Sequence, residues 1–343
     1  MKFFYFLVIL FFFSNCFFNK KSGIWKNENI ISKKEIDIFK NFEKLSVEKS
    51  DFKEIKKLKK GYKIKLEGLK NFNNWNDVFL KEDNNFVNFN YKELNRITFK
   101  SKKLSKYQIN KFILFEKNKL ICSDVKGNII IFSLDNNEVI SKYNFYKQRY
   151  KRVKKYLNLI VRDNIIYISD NIGYIYAFDY KKDKILWAKN LKIPFRSNLK
   201  LYKDKLLAAN QNNDLFFFNI YSGNEEKFFP TEQSMVLNDF QNNLSIKNNQ
   251  LFFLNTYGSL YSIDMNSLKT KWYFNFNQSD DLNPGNIFNS NPVIHNNNFT
   301  VVTSNDFIYI IDFRSGSVKF KKNFSSNLKP IITDKYIFLI TKN

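Results

Sequence analysis

In the C-terminal two thirds of the chain, apolar residues occur in short runs that are separated by polar turn residues. Residues 163–190 show this pattern most clearly. Residues 165–169, 174–178 and 185–188 are runs rich in Ile, Tyr and Ala, and the turn before the second run contains Gly173. Runs of this length predict β-strands, because amphipathic helices would need apolar residues every three or four positions. The stretch therefore predicts two consecutive β-hairpins.

The same stretch recurs along the chain. Around Gly258, an aspartate follows six residues later and a tryptophan fourteen residues later, as they do after Gly173. Three less complete copies are centred on Gly127, Asn213 and Asp306. The copies are spaced by 40 to 48 residues, which is the period of a four-stranded propeller blade. The sequence therefore predicts an all-β fold, a β-propeller of four-stranded antiparallel blades with five readable blades and a partial sixth.

Residues at equivalent positions of the copies are predicted to be structural, because a single active site would not be repeated in every blade. One group is expected to stabilise turns, through left-handed backbone or through side chains that accept backbone N–H groups. These turn residues are Gly173, Asp179, Gly258, Asp264 and Asp312. A second group is expected to bury a large aromatic area between adjacent blades. These blade-docking residues are Trp187, Trp272 and Phe320.

The repeat resembles the propeller repeat of the pyrroloquinoline-quinone (PQQ) type. The resemblance rests on the Gly-x-x-x-x-x-Asp spacing, on a Gly-containing turn such as Ser315-Gly316, and on the tryptophan at plus fourteen. It covers residues 110–343. Quinone-dependent dehydrogenases and non-catalytic scaffold proteins share this repeat, so the resemblance implies a fold more than a function.

The sixth copy begins near residue 328 and is incomplete at residue 343. An open ring would expose an apolar blade face and an unpaired strand edge. One interpretation is that residues 86–101, which contain two predicted strands, close a six-bladed ring. The favoured interpretation is a truncated copy of a longer ring, of eight blades as in the resembling family.

Residues 1–16 have one lysine, a short apolar core and then Ser14-Asn15-Cys16. The core is shorter than the ~20 apolar residues that span a bilayer, so a secretory signal peptide is predicted. Its end resembles a bacterial lipobox, which implies that Cys16 is the site of lipid attachment. A retained, uncleaved anchor and soluble export are the alternatives. Phe17 after the cysteine implies, by resemblance to the retention rule of lipoproteins, a location on the periplasmic face of the outer membrane.

Residues 17–74 lack the repeat and are rich in lysine, and they are predicted to form a basic tether, partly helical or disordered, before a propeller domain at 75–343. Binding of the tether to anionic lipid is the alternative. The formal net charge of the chain is +24, which raises nucleic acid as a partner. Arginine is rare, however, and specific phosphate or base recognition favours it. We therefore expect no nucleic-acid partner.

Catalytic chemistry is sparse in the sequence. The single histidine, His295, is predicted to lie on a turn, and no Gly-x-Ser-x-Gly elbow or Gly-rich phosphate loop occurs. Cys16 and Cys122 are the two cysteines, and Cys122 is expected in the core. The quinone-dependent dehydrogenases have a vicinal cysteine pair and a calcium site, and no Cys-Cys occurs here. We therefore expect neither catalytic nor metal-binding residues, no cofactor, and a protein that is not an enzyme.

Asn74-Trp75 resembles the stretch that precedes the first blade in the BamB family, the propeller lipoproteins of the outer-membrane β-barrel assembly machinery. Together with the lipobox, the basic tether and the repeat, it gives a resemblance to BamB proteins of alphaproteobacterial type. The resemblance implies a non-catalytic scaffold that assists assembly and insertion of outer-membrane β-barrels by binding BamA and other members of the assembly complex. The alternatives are a fragment related to PQQ-dependent dehydrogenases, or a cell-envelope propeller that binds another protein or a polysaccharide.

Overall fold

The computed structural model describes residues 61–340 except for 62, 65, 67, 87, 90–96, 98, 147–149, 234–240, 278–286, 305 and 325–327, together with the backbone of Phe17–Phe18 and Trp25–Lys26. The chain divides into two units, Met1–Leu58 and Lys59–Asn343. In the first unit, β1 (Phe17–Phe18) pairs antiparallel with β2 (Trp25–Lys26). The predicted signal peptide with Cys16, and most of the predicted tether, lie outside the described residues.

Five four-stranded antiparallel sheets follow one another along the second unit, and each is a simple meander. Blade I contains β3 to β6, which are Leu114–Glu116, Lys119–Ser123, Asn128–Ser133 and Glu138–Asn144. Blade II contains β7 to β10, which are Leu157–Arg162, Ile165–Asp170, Tyr174–Asp179 and Lys184–Asn190. Blade III contains β11 to β14, which are Lys200–Tyr202, Lys205–Ala209, Leu215–Asn219 and Glu225–Phe229.

Blade IV contains β15 to β18, which are Asn243–Lys247, Gln250–Leu254, Ser259–Asp264 and Thr270–Asn275. Blade V contains β19 to β22, which are Ile294–His295, Phe299–Thr303, Phe307–Asp312 and Val318–Asn323. A sixth sheet pairs two strands, β23 (Ile331–Ile332) and β24 (Ile337–Phe338). The predicted all-β propeller with five blades and a partial sixth is confirmed.

The core consists of apolar clusters between consecutive blades, because each sheet is apolar on both faces. Ile175 and Tyr176, neighbours on the third strand of blade II, are both fully buried, and they point to opposite faces. Tyr176 belongs to the cluster shared with blade I, and Ile175 belongs to the cluster shared with blade III. A single blade could not bury both faces, so the stability of each sheet depends on its neighbours.

The turn between the second and third strands is organised by one side-chain acceptor. In blade II, Asp170 Oδ1 accepts the N–H groups of Ile172, Gly173 and Tyr174, each at 2.8 Å. Gly173 has φ of 106°, and a Cβ there would lie 2.9 Å from the backbone nitrogen of Ile193. Equivalent acceptors occur in the other four blades at Asp124, Asn210, Asn255 and Ser304.

The turn between the third and fourth strands has the aspartates that the repeat singled out. Asp179 Oδ1 accepts the N–H groups of the residues two and three positions later, both at 3.0 Å. Asp264 and Asp312 make the same pairs of hydrogen bonds, at 2.9 to 3.0 Å. Gly258, in the preceding turn of blade IV, has φ of 88°. All of these residues therefore lie in turns, at equivalent places in their blades.

Trp187 and Trp272 lie on the fourth strands of blades II and IV, and each contacts the following blade. The indole Nε1 of Trp187 donates to the carbonyl of Ile220 at 2.8 Å, and that of Trp272 donates to the carbonyl of Phe313 at 3.1 Å. Both indole rings cover a glycine with positive φ in a turn of the next blade. These glycines are Gly223 under Trp187 and Gly316 under Trp272.

Phe320 lies on the fourth strand of blade V, opposite Ile310, and is half-buried against the cluster shared with the sixth sheet. More than half of residues 86–101, where two strands are predicted, lies outside the described residues, so this stays a prediction. In the described residues of that stretch, Phe89 forms a single parallel bridge with Lys70 and no strand is present.

Candidate functional site

The first strands of neighbouring blades lie next to each other around the ring axis. The axis is therefore a candidate position for a site, because propeller blades surround a central channel. In this protein, residues 75–85, here called the axial segment, run along those first strands. It begins beside blade I and ends beside the sixth sheet. It therefore contacts the blades one after another, in the order of the chain.

Backbone hydrogen bonds attach the axial segment to three blades. Trp75 and Phe115 of blade I exchange two backbone hydrogen bonds, at 2.6 and 2.9 Å. The N–H of Val161 in blade II donates to the carbonyl of Asn76 at 3.0 Å, and the N–H of Ile246 in blade IV donates to the carbonyl of Glu82 at 2.8 Å. These bonds use donors of the first strands that would otherwise face the axis.

Two buried asparagine side chains attach the segment to the last blades. Asn84 Nδ2 donates to the carbonyls of Leu244 and Val293, at 2.9 and 3.1 Å. Asn85 pairs with Ile332 of the sixth sheet in both directions, through Nδ2 to the carbonyl at 2.7 Å and through Oδ1 from the N–H at 3.2 Å. The two side-chain amides thus hydrogen-bond backbone groups at the inner ends of blades IV and V and of the sixth sheet.

Two ion pairs complete the attachment. Lys200 of blade III has a fully buried side chain, and its Nζ lies 2.6 Å from Oδ2 of Asp77, whose side chain is 8% exposed. Lys247 of blade IV lies 2.9 Å from Oδ2 of Asp83. Two of the three carboxylates of the segment, those of Asp77 and Asp83, are therefore neutralised by blade lysines, and the buried charge of Lys200 is compensated.

Lys329 approaches the segment from the sixth sheet. Its ammonium lies 4.0 Å from the centroid of the Phe86 ring, and it donates to the carbonyl of Asn84. Burial lowers the pKa of Lys329 to about 8, and the positive charge of Lys200 acts in the same direction. The ammonium group of Lys329 is therefore held by the Phe86 ring and the Asn84 carbonyl, and not by a carboxylate.

A cavity of about 490 Å³ lies beside the axial segment, with Asn76, Leu80 and Glu82 in one wall and Arg162 and Lys247 in the other. Burial raises the pKa of the Glu82 carboxyl, although the charges of Lys200 and Arg162 act in the opposite direction. The described lining residues include no aromatic side chain. The cavity could accept a polar group of modest size.

A quinone cofactor with a calcium ion does not fit this arrangement. Such a cofactor needs an aromatic surface to stack on and several free oxygen ligands for the ion. The axial cavity has no aromatic wall, and Asp77 and Asp83 already pair with lysines. Within the described ranges, no three His, Cys, Asp or Glu side chains are grouped so that they could hold a metal.

His295 is not on a turn as predicted, because it forms β19 with Ile294 and pairs with Thr300. It is fully buried, with Nε2 2.7 Å from Ser245 Oγ and Nδ1 2.9 Å from Thr300 Oγ1. Burial lowers its pKa well below the usual value, so the ring is neutral. Both ring nitrogens are bound to hydroxyls, and within the described residues no hydrogen bond or ion pair joins His295 to a carboxylate, so the orienting acid of a catalytic triad is not seen there. Cys122 is also buried, and burial raises its pKa to about 11, which leaves an unreactive thiol.

A second cavity, of about 590 Å³, lies beside the sixth sheet. Its apolar wall is built from Leu66, Phe86, Phe89, Ile331 and Phe338. Leu66 and Phe89 are 46% and 53% exposed, so the apolar surface continues out of the cavity. This is the side of the ring where the sixth sheet is incomplete in the described part of the chain. The axial segment and this apolar side are therefore the two features that distinguish this propeller from a simple ring of blades.

An exposed apolar face at the incomplete sixth copy was expected from the sequence, whereas the axial segment was not. Of the residues that form the axial segment, the sequence analysis singled out Trp75 alone, by resemblance. The signal that could have pointed to the segment is the polar run at 81–85, Lys-Glu-Asp-Asn-Asn, directly after Val78-Phe79-Leu80, but such runs usually mark turns.

Comparison with known proteins places the fold but not the activity. No protein-family model matches the sequence, and no curated protein does. Among solved structures, the computationally designed Ika8 protein superimposes with a TM-score of 0.52 at 12% identity, over 67% of this chain and 66% of that one. BamB from Moraxella catarrhalis gives 0.50 at 14% identity, over 67% and 65%. The quinohemoprotein alcohol dehydrogenase from Comamonas testosteroni gives 0.57 at 12% identity, over 79% and 52%.

The matched part is about two thirds of the first two proteins and about half of the third. The chain thus has a PQQ-like β-propeller fold. BamB and PQQ dehydrogenases share this fold with it at low sequence identity. In the described part of the chain, no helix is both long and apolar enough to cross a membrane.

Proposed function

We propose that this propeller is a non-catalytic scaffold of the bacterial cell envelope. In this proposal, a lipid at Cys16 anchors it to the periplasmic face of the outer membrane. It binds the barrel-assembly subunit BamA and so assists the assembly and insertion of outer-membrane β-barrels. Nothing in the proposed role requires a cofactor, a metal ion or a nucleic acid.

The observation that carries the proposal is the axial segment. A ligand too large for the cavity beside the segment would have to displace Asn84 and Asn85, which hydrogen-bond Leu244, Val293 and Ile332. It would also have to break the buried pair of Lys200 with Asp77. Each buried group left without its partner would cost about 1 to 3 kcal/mol. Binding at the faces and the rim of the ring has no such cost, and partner proteins dock on such surfaces.

A pull-down from bacterial membranes tests the proposal. The full chain is the bait, and the computationally designed Ika8 protein, which has a similar fold, is the control. We expect BamA and other assembly subunits to be recovered with the full chain and not with the control. Recovery of a polysaccharide or of an unrelated envelope protein instead would reject the proposed partner.

An activity assay tests the non-catalytic part separately. The purified chain is mixed with PQQ, Ca²⁺, an alcohol or sugar and an electron-accepting dye. We expect no reduction of the dye above the rate of the mixture without protein. Sustained reduction that depends on both PQQ and protein would identify an enzyme and reject the scaffold role.

A further inference from the structure

The connections between consecutive blades differ in charge. The connection from β6 to β7, residues 145–156, contains six lysines and arginines among its twelve residues and no acidic residue. The equivalent connection at 191–199 contains two lysines or arginines, and those at 230–242 and 276–293 contain none. Lysine is abundant in the whole chain, but abundance alone would not concentrate positive charge in one connection. The charge of residues 145–156, here called the basic connection, therefore needs a local explanation.

Protection of an edge strand does not supply that explanation. Lysines on an outer strand of a blade discourage pairing with another chain. The described residues of the basic connection form no strand, so they have no edge to protect. Residues 147–149 lie outside the described residues, and the described cations of the connection are all within 150–156.

The backbone of residues 150–156 is held against turns of blades I and II. Lys155 is buried, its N–H donates to the carbonyl of Val125 at 2.9 Å, and its Nζ donates to the carbonyl of Tyr150 at 2.6 Å. The N–H of Tyr156 donates to Oδ1 of Asn171 at 2.8 Å. Val125 and Asn171 belong to the turns between the second and third strands of the two blades. The basic connection therefore lies between these turns, at one end of both blades.

The cations of this stretch are presented to solvent. Lys151, Arg152 and Lys154 are exposed. Lys126, from the turn of blade I, adds a fourth positive charge, because its Nζ donates to the carbonyl of Lys151 at 3.1 Å. Four cations from two neighbouring segments thus lie on the same end of blades I and II.

The carboxylates of the same segments do not offset this charge. The basic connection and the turns at 124–127 and 170–174 contain two acidic residues, Asp124 and Asp170. Both are fully buried, and each accepts backbone N–H groups of its own turn. Their side chains are therefore committed to the turns, and the exposed charge of these segments is positive.

Exposed tyrosine and valine side chains lie among the cations. Tyr150, Val153 and Tyr156 are 41%, 42% and 51% exposed. Tyrosine rings favour the head-group level of a membrane, and lysines and arginines beside them attract anionic lipid. Val153 distinguishes a lipid surface from other polyanions. Its side chain gains by entering an apolar medium, but it can neither stack on a base nor pair with a carboxylate.

We propose that the surface formed by Lys126 and residues 150–156 binds the anionic phospholipids of a membrane. The cations lie at the lipid phosphates, and the two tyrosines and Val153 enter the head-group layer. The surface belongs to the propeller itself. It therefore stands whether or not Cys16 is lipidated and whether or not the chain takes part in barrel assembly.

Co-sedimentation with vesicles tests the proposal. The protein is the full chain with Cys16→Ser, so that no lipid is attached at the predicted anchor. The vesicles consist of phosphatidylcholine alone or of phosphatidylcholine with phosphatidylglycerol. We expect binding to the anionic vesicles to be at least about tenfold tighter, and to weaken as salt is added. The neutral vesicles measure any binding through the apolar residues near the N-terminus.

Two charge variants in this protein locate the site. The first removes the three exposed cations of the basic connection, by Lys151→Gln, Arg152→Gln and Lys154→Gln. One cation near an anionic leaflet strengthens binding roughly fivefold, so we expect a loss of about tenfold or more. The matched control removes three exposed lysines from the turn between β9 and β10, by Lys181→Gln, Lys182→Gln and Lys184→Gln.

The control turn lies at the other end of blade II. The six residues of β9 separate the two ends by about 20 Å. This exceeds the ~8 Å over which exposed charges act at physiological salt, so the control should bind within about twofold of the parent protein.

Acetylation of lysines, read by mass spectrometry on the parent protein, does not depend on the folding of either variant. Anionic vesicles should slow acetylation of Lys151 and Lys154 and leave that of Lys181 and Lys182 unchanged. The inference is overturned if both vesicle types bind equally, if the first variant binds anionic vesicles as well as the parent does, or if all four lysines are protected equally. Binding of a fluorescent single-stranded oligonucleotide, without binding of anionic vesicles, would also overturn it and would assign the surface to nucleic acid.

Discussion

Replacing Asp77 by asparagine tests how strongly the axial segment is built into the fold. Asparagine keeps the size of the side chain and an Oδ1 atom, which can still accept the N–H of Phe79 at 2.9 Å. The substitution removes the negative charge that lies 2.6 Å from Lys200 Nζ. The Lys200 side chain has no solvent exposure, so water cannot replace the lost carboxylate.

Removing one partner of a buried ion pair costs about 3 to 5 kcal/mol, because an uncompensated charge stays buried. We expect the lower end of this range, since Lys200 keeps a hydrogen bond to the carbonyl of Lys81 at 3.1 Å. Asp83→Asn is the matched control in the same segment. Its partner Lys247 is 25% exposed and can rehydrate, so the loss should be clearly smaller.

The measurement is the free energy of unfolding of the full chain in urea, followed by tryptophan fluorescence. A double variant, Asp77→Asn with Lys200→Met, removes both charges and should recover most of the lost stability. The reasoning is refuted if Asp77→Asn costs less than about 1 kcal/mol. It is also refuted if the double variant is no more stable than Asp77→Asn alone, because the cost would then not come from the buried charge.

Four further predictions follow from single residues. In Gly223→Ala, the new Cβ would overlap the ring of Trp187. Overpacking of this kind should lower the free energy of unfolding in urea by more than about 1 kcal/mol. An unchanged urea midpoint would contradict this packing. Because the folded pKa of His295 is lowered, the unfolded state binds the proton more tightly, so stability should fall as pH drops below about 6.5, by up to ~1.4 kcal/mol per pH unit. His295→Gln should reduce that slope, and an equal slope in both proteins would reject it. With a folded pKa of about 8 at Lys329, stability should rise with pH between about 8 and 10.4, and Lys329→Met should lose this rise in unfolding measured at both ends of the window. Cys16→Ser should move the protein from the membrane to the periplasmic fraction and abolish labelling with palmitate; labelling that persists would reject the lipid site.

The blades could be predicted from sequence because the same pattern of short strands and tight turns is repeated five times. Gly173 and Gly258, with the acid six residues later, mark turns whose geometry is set within a few residues. Repetition makes such a signal visible even where single copies are eroded. The acceptor three residues before Gly173, Asp170, repeats in every blade too, but its identity varies among Asp, Asn and Ser, which hid it.

The axial segment could not be predicted for the opposite reason. Each of its contacts occurs once and joins residues that are far apart in the chain, as with Asp77 and Lys200 or Asn85 and Ile332. No period relates these positions, and Asn84 and Asn85 have the composition of an ordinary turn. The predicted turn begins one residue later than expected, because His295 occupies the last position of its strand, directly before Asn296.

Each docking tryptophan is matched by a glycine in the following blade. Trp187 and Trp272 cover Gly223 and Gly316, and a side chain at either glycine would occupy the space of the indole. Blade III, which has no tryptophan at this position, is followed by Leu268 where the glycine would be. Tryptophan and glycine therefore occur together across an interface, because one requires the other.

The positions of the lysines bear on the net charge of +24. On the fourth strands, which form the outer edges of the blades, lysines such as Lys142 and Lys321 occur beside exposed apolar residues such as Val139 and Val318. Five open edges on one ring would each invite pairing with another molecule, and charge on the edge opposes it. Much of the positive charge can thus serve to keep the blades apart from other chains, without an anionic partner.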